Sequence, residues 1–594
     1  GPYVVGFEYL VLVQFGVRRF SWRYIGLREV ARIFLALIVS TLVLLASRVV
    51  IGEVVSSAPY LRHGIVPFGV ILLNFVLAFG GVSGVRVLRR LMGERADARG
   101  PSIRPPSRQD LVPTMLVGAG QAGVLVVKEL ANRPELNLHP VGFLDDDVLK
   151  KGTDIHGVRV LGTTHDLAQM CAAHGASQVL ITMANVPGDV VRRIRMLAEE
   201  AGISAKIIPG LYEIVGGQVN LSRIRDVAIE DLLGRDPVQL DLEALRDFLS
   251  DRTVLVTGAG GSIGSEICRQ VAQFRPARLL LVEQAENALF EIHRELSAAF
   301  PALDVVPCIA DVCDAERIGQ VFSQHRPSAV FHAAAHKHVP MMEWNPGEAV
   351  KNNVGGTKVV ADATHRFGCD AFVMISTDKA VNPTSIMGAT KRTAELYIQT
   401  LSTQSETRFV TVRFGNVLGS NGSVVPIFRQ QIAAGGPITV THPDMRRYFM
   451  TIPEACQLVL QAGSMGAGGE IFILDMGEPV RIVDLARDLI ALSGLREGED
   501  IDIEFSGIRP GEKMFEELAT DGEHAKKTTH PKIFVGLLPG ADEEHVRSGV
   551  ERLLRVAADP SAIRGALGNL VPEYAPPVAD QVEDRARRPV VVEA

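Results

Sequence analysis

The chain lacks the charge excess of a nucleic-acid binder: 61 lysines and arginines stand against 68 aspartates and glutamates, a formal net charge of -7. That balance gives no support for a nucleic-acid partner. It also lacks paired cysteines. The six present, at 171, 268, 308, 313, 369 and 456, never fall at CxxC spacing. They read as reduced thiols facing the cytosol, mostly small core residues, and argue against a structural zinc. The composition has no bias toward disorder, being 47% apolar and 22% charged over 594 residues. At roughly 150 residues per domain, that length implies three or four units. An initiator methionine is missing too: the chain opens Gly1-Pro2, as after proteolytic cleavage, so native residues are expected ahead of it.

Two stretches almost without charge stand out in residues 1–98, read as a membrane region. Residues 65–85 form an uncharged run of 21 residues, which at about 1.5 Å per residue covers the ~30 Å hydrocarbon layer. An earlier span is expected over about 33–52, with Arg48 snorkelling to the interface. Residues 3–17, apolar apart from Glu8, read as a partial span. Arg18, Arg19, Arg23, Arg28 and Arg32 precede the first span, and Arg86, Arg89, Arg90, Arg95 and Arg99 follow the second. The connecting loop holds only Arg62, so both outer flanks are expected in the cytoplasm. The lipid bilayer is therefore an expected partner, and the location a bacterial-type inner membrane, multi-pass, with the rest of the chain cytoplasmic.

After a Pro- and Arg-rich linker, Met115-Leu116-Val117 runs into Gly118-Ala119-Gly120-Gln121-Ala122-Gly123 and an apolar helix. This strand, turn and helix predict a small Rossmann-like α/β domain over 112–215. Because glycines also serve tight packing, its ligand stays open. A connector, 216–250, leads to a larger domain expected over 251–570, with a polar, disordered tail at 571–594. The predicted fold class is thus α/β: two Rossmann-like doubly wound parallel-sheet domains preceded by transmembrane α-helices.

The larger domain opens with a stronger signal. Strand 254–256 leads into Thr257-Gly258-Ala259-Gly260-Gly261-Ser262-Ile263-Gly264. Gly258, Gly261 and Gly264 let the backbone approach a pyrophosphate resting on a helix amino terminus, with Ser262 and Ile263 beside it. About 20 residues on, a strand ends in Glu283, placed for an adenosine ribose, which favours NAD over NADP. Asp311 and Val312 are expected at the adenine edge, and Ala333 and Ala334 are small enough for the cofactor to lie against their backbone. His336, Lys337 and His338 come next, but no third ligand falls at helical spacing, so no metal is expected. Lys337 is expected to face an anionic substrate.

Residues 371–377 read as a buried parallel strand ending at Thr377-Asp378-Lys379. Ligands bind at such carboxyl ends. Asn382-Pro383 breaks the chain, and Met387 and Lys391, at i and i+4, share one face of the next helix. One cleft is thereby offered a hydroxyl, a carboxyl and two amines, groups suited to proton transfer.

These motifs, with His-Ala-Ala-Ala-x-Lys-His-Val-Pro at 332–340 and Asn353-Val-Gly-Gly-Thr357, resemble an extended short-chain dehydrogenase/reductase. More narrowly, the chain is similar along nearly its whole length to the membrane-bound UDP-N-acetylglucosamine 4,6-dehydratases of polysaccharide biosynthesis. It departs from the wider superfamily in having Met387 where Tyr-x-x-x-Lys has its tyrosine, a feature of the long membrane-anchored branch, which favours retention at C5. The resemblance implies a tightly held NAD that takes hydride from C4 of the hexose and returns it to C6 after water is lost. It assigns Thr377 to the 4-oxygen, Asp378 as acid to the leaving 6-hydroxyl and Lys379 as base at C5. Asn416, Arg447, Arg509 and Glu512 are implied to hold the UDP-sugar, and a homo-oligomer is expected. Free lysine titrates near 10.4, so the base role requires a depressed Lys379, expected from Lys391 and the nicotinamide cation. Two other readings stand beside this one: a C4 epimerase, which needs no C5 base, and a non-catalytic membrane-anchored nucleotide-sugar sensor or scaffold.

Overall fold

The apolar runs that offer water no polar face pair as central strands of two parallel sheets, seen here in a computed structural model. It describes residues 2–15, 27–55, 67–97, 111–183, 186–208, 224–235, 238–519, 525–536 and 542–576. The tail expected over 571–594 begins later, since Val571 and Tyr574 are buried in the core and Glu573 pairs with Arg392. Its residues beyond 576, linker residues 98–110, connector residues 216–223 and the flanking Arg18, Arg19, Arg23, Arg62 and Arg99 lie outside the described residues. The chain divides into two compact units, Gly1–Asp110 and Leu111–Ala594.

The first unit contains helices α1 (Pro2–Gln14), α2 (Leu27–Val55) and α3 (Phe68–Asp97). Ile33 and Leu37 of α2 are buried against Leu12, Phe75 and Phe79, and Phe34 meets Phe75 and Phe79 edge-on at 5.8 and 5.4 Å. Asn74 donates to the Glu8 carboxylate, joining α3 to α1. Among the described residues, one helix is long and apolar enough to cross a membrane, Ile33–Val50. Of the span expected over 65–85, residues 65 and 66 lie outside the described residues; its described apolar helix is Phe68–Val82, and Val4–Gln14 is another short one.

In the second unit the first sheet comprises β1 (Val112–Val117), β2 (Leu138–Leu144), β3 (Asp154–Ile155), β4 (Val158–Gly162), β5 (Gln178–Ile181), β6 (Ser204–Ile207) and β7 (Arg225–Asp226). Their order is β3-β4-β2-β1-β5-β6-β7. The antiparallel edge strand β7 lies beyond 215, so part of the expected connector completes this sheet. Nor is this layer separate from the rest. Met115 and Val117 share one apolar core with Phe428, Val440 and Leu485 of the later chain, and Arg192 grips Asp488 through two bonds of 2.9 and 2.8 Å.

The second sheet is built from β8 (Thr253–Thr257), β9 (Arg278–Glu283), β10 (Asp304–Ile309), β11 (Ala329–His332), β12 (Ala371–Thr377) and β13 (Arg408–Phe414), extended by β14 (Ile471–Leu474), β15 (Lys526–Lys527) and β16 (Ile533–Gly536). The order β10-β9-β8-β11-β12-β13-β14-β16-β15 begins as a doubly wound nucleotide-binding fold, whose order reverses between β8 and β11. Ligands in such folds lie beyond the carboxyl ends of the strands at that reversal.

Helix Ile386–Ser402 packs beneath this edge, held by a buried charge cluster. Arg413 of β13, fully buried, donates to both oxygens of Glu395 at 2.7 and 2.5 Å, while Ser376 of β12 donates at 2.6 Å and Arg392 at 3.1 Å. Burial pushes the Glu395 carboxyl up, but Arg413, Arg392 and Ser376 outweigh it and hold it at about 2. Removing one partner of such a pair costs about 3–5 kcal/mol, because the other charge remains buried. Arg413→Met is therefore expected to lower the chemical-denaturation midpoint sharply, and Arg413→Met with Glu395→Leu to recover most of that loss.

Candidate active site

Strand β12 ends in a single 3-10 turn, Asp378–Ala380, whose first donor is capped by Thr377. The Thr377 hydroxyl donates to Asp378 Oδ1 at 2.8 Å. Asn382 adopts a left-handed φ of 42°, Ser385 caps the next helix by accepting from Gly388 N–H, and Met387 and Lys391 are carried into the same cleft. The cleft is a cavity of about 830 Å³.

Of the residues expected from sequence, Gly261, Ser262, Ile263, Gly264, Ala333, Lys337, Thr377, Lys379, Met387, Lys391, Asn416, Arg447, Arg509 and Glu512 line this cavity. Gly258, Glu283, Asp311, Val312, Ala334 and Asp378 do not. Asp378 is completely buried behind Lys379. Its Oδ2 has no hydrogen-bond partner and lies so close to Gly415 that a Cβ there would come within 3.0 Å.

Lys379 Nζ donates to Asp378 Oδ1 and to Asn416 Oδ1, both at 2.9 Å, and lies 4.0 Å from Glu516 Oε1. Burial lowers its affinity for a proton, but Asp378 and then Glu516 outweigh that and raise it. This reverses the expected depression of Lys379: two carboxylates, one of them unforeseen, surround the amine. The depressed amine is Lys391, pulled down to about 8 by burial and bonded to the Ile375 carbonyl at 2.7 Å. Lys337, also lowered by burial and by Lys379, donates to Ser420 Oγ at 3.2 Å.

Arg447, expected to hold the UDP-sugar, has its guanidinium committed within the protein. It donates to the carbonyls of Arg446, Met514 and Lys513 at 2.7, 3.1 and 2.6 Å, and its Nε lies 3.8 Å from Glu516. It thus braces the segment that carries Glu516. Arg509 is exposed at the cavity rim, where its backbone N–H meets Glu512 in a turn.

The glycine-rich turn fits a dinucleotide. Gly258 has a φ of +64°, and a Cβ on it would meet the Ala334 backbone at 2.9 Å. Helix Ser262–Gln273 opens into the cavity with residues 261–264 at its amino end. That cradle of backbone donors suits a pyrophosphate. Glu283 accepts from Gly260 N–H at 3.2 Å and from Ala285 N–H at 3.0 Å, and Asp311 accepts from Cys313 N–H at 2.8 Å. His332 is a strut between Thr257 and Thr357, 2.9 and 3.0 Å away, and burial drives it down to about 3, so it stays neutral.

Glu516 is the site residue that sequence reasoning missed. It sits in Met514-Phe515-Glu516-Glu517, a segment with no helix or strand periodicity to mark an inward face, and only the fold turns it to the cavity.

A doubly wound sheet with a glycine cradle and a Thr-Asp-Lys strand end facing Met-x-x-x-Lys defines an extended short-chain dehydrogenase/reductase. Residues 254–537 match a family profile described as polysaccharide biosynthesis protein, and residues 18–209 match one described as a CoA-binding domain. The chain is 44% identical over 519 residues to the capsular polysaccharide biosynthesis protein CapD of Staphylococcus aureus, covering 87% of this chain and 84% of CapD. It is 44% identical over 516 residues to the probable polysaccharide biosynthesis protein EpsC of Bacillus subtilis, covering 87% and 83%. A UDP-N-acetylglucosamine 4,6-dehydratase (inverting) of Campylobacter jejuni is 33% identical over 283 residues, 47% of this chain and 80% of that protein. The chain belongs to the polysaccharide biosynthesis protein family that includes CapD and EpsC.

Proposed function

We propose that this protein is a membrane-anchored, NAD-dependent 4,6-dehydratase of UDP-N-acetylglucosamine, supplying a 4-keto-6-deoxy sugar nucleotide for cell-surface polysaccharide. The observation that carries this reading is the convergence, at one cavity, of Thr377, Lys379, Met387 and Lys391 with the glycine cradle. The 33% identity to the Campylobacter dehydratase supports the substrate class. NAD bound by Gly258, Gly261, Gly264, Glu283 and Lys391 would supply a reversible hydride acceptor.

The chain's own residues supply the proton chemistry. Thr377 orients the 4-oxygen, Lys379 takes the C5 proton, and Asp378, buried behind Lys379, holds the proton destined for the leaving 6-hydroxyl, which reaches the cavity through the Thr377 hydroxyl bonded to it. In the resting structure Asp378 and Lys379 form an ion pair at 2.9 Å. One proton moving along that bond turns it into the neutral amine and neutral acid that elimination needs. Lys337, Arg509 and Glu512 are the groups proposed to meet the nucleotide diphosphate and ribose. A C4 epimerase needs no acid–base pair at C5, so the pairing of Lys379 with Asp378 favours dehydration. Met387 in place of a tyrosine favours retention at C5. The helix Ile33–Val50 is proposed as the membrane anchor, with the catalytic unit on the cytoplasmic side.

Incubating the solubilised protein with UDP-N-acetylglucosamine is expected to yield a product lighter by one water, with deuterium from solvent at C5. An isomer of unchanged mass would overturn the reading in favour of epimerisation, and unaltered substrate would favour a sensor or scaffold.

A further inference from the structure

Lys379 spends two of its three donors on Asp378 and Asn416, which leaves the third facing the cavity, where the Glu516 carboxyl stands 4.0 Å away. Glu516 is buried among its neighbours yet lines the cavity, and its Oε2 has no hydrogen-bond partner. A buried carboxyl with an orphaned oxygen is costly as an anion unless something needs it there. Around it stand Lys379 and Asp378 from the turn after β12, Arg447 from the short strand Arg446–Arg447, and Lys513 on its own segment. Lys337, across the cavity, adds positive charge against Lys379.

We infer that Glu516 is the protonation gate of the Lys379–Asp378 pair, a positioning residue that acts through Lys379. This rests on the dehydratase reading. With Glu516 neutral, the proton on Lys379 is free to cross to Asp378: the N–H bond breaks, its electron pair stays on Nζ as the lone pair that attacks the C5 proton, and an O–H bond forms on Asp378. With Glu516 ionised, the ammonium is held by a second negative charge and the transfer is opposed. Elimination restores the starting state, because Lys379 gains the C5 proton while Asp378 passes its own to the Thr377 oxygen bonded to it and Thr377 gives up its hydroxyl proton to the departing hydroxyl. Glu516 itself neither gains nor loses a proton in the cycle.

The sign is set by its surroundings. Burial raises the affinity of Glu516 for its proton, partly opposed by Lys379, and the net direction is up. The gate is therefore open on the acid side of Glu516's titration and closes as pH rises through it. In the wild type, the rate of C5 deuterium exchange is expected to fall above that point by about tenfold per pH unit, as for one titrating group. In Glu516→Gln the fall should vanish until the Lys379–Asp378 pair itself titrates, and Glu516→Met should behave alike, with bound NAD at the wild-type level in both.

If exchange in both variants keeps the wild-type pH profile, Glu516 is only a structural neighbour and the gate is overturned. If both lose exchange at every pH while holding cofactor, Glu516 transfers the proton itself, which also overturns it. Should Glu516→Gln fail to fold, the Met variant decides by the same readout. A wild type that exchanges no deuterium at C5 and releases no water overturns the dehydratase reading, and the gate with it.

Discussion

Lys379→Met is expected to abolish deuterium exchange at C5 and to lower turnover of UDP-N-acetylglucosamine at least about 10³-fold, within the range that a positioned general base contributes. The cavity otherwise keeps its walls. Lys391 still bonds the Ile375 carbonyl, and the glycine cradle at 258–264 does not touch Lys379, so cofactor content is expected to stay at the wild-type level. The variant also leaves Asp378 fully buried, with Thr377 as the remaining donor to Oδ1 and none to Oδ2. A buried carboxylate stripped of its cation costs about 3–5 kcal/mol, so a lower unfolding midpoint should accompany the lost chemistry. Lys379→Met with Asp378→Asn removes that charge. It should regain much of the stability and none of the activity, which separates the two roles of the amine. Full C5 exchange in Lys379→Met would remove Lys379 as the base.

The same pair marks how far the sequence was legible. The apolar runs ending in Thr257, Glu283, His332 and Thr377 announce their strands because a buried parallel strand must be apolar throughout, and the residues at their ends then sit at the cleft by topology alone. The turn after Thr377 is less legible. Side chains in a single 3-10 turn can face either way, and Asp378 lies behind Lys379 rather than at the cavity surface. The charge state of Lys379 escapes the sequence for the same reason. Its field is set first by its neighbour Asp378 and then by Glu516, 137 positions away in sequence, counted as 516 − 379. Strand β7 escapes it because two residues, Arg225 and Asp226, carry no period, and their pairing with β6 is decided by packing.

Gly264→Ala is the second change expected to have a large effect, and it acts on the cofactor rather than on the proton chemistry. An added Cβ would lie 2.0 Å from the Gly258 carbonyl oxygen and 2.7 Å from its carbon, both backbone atoms that no rotamer change can move. Gly258 has little room to retreat, because the space where a Cβ would stand on it is already closed by the Ala334 backbone at 2.9 Å. The turn must therefore open, and the amino end of helix Ser262–Gln273 loses the alignment that aims its donors at a pyrophosphate. A loss of about 1.4 kcal/mol in affinity is tenfold, and a displaced cradle exceeds that, so co-purified NAD should fall at least about tenfold. Turnover should fall with it and recover in part when NAD is added in excess, which would not happen if the fold itself had failed. Gly319→Ala is the matched control: it lies in helix Ala315–His325 with nothing within 4 Å of the new methyl group. There the same substitution should stabilise the protein by up to about 1 kcal/mol through helix propensity, with bound NAD unchanged. Equal cofactor content in the two variants would separate residues 258–264 from cofactor binding.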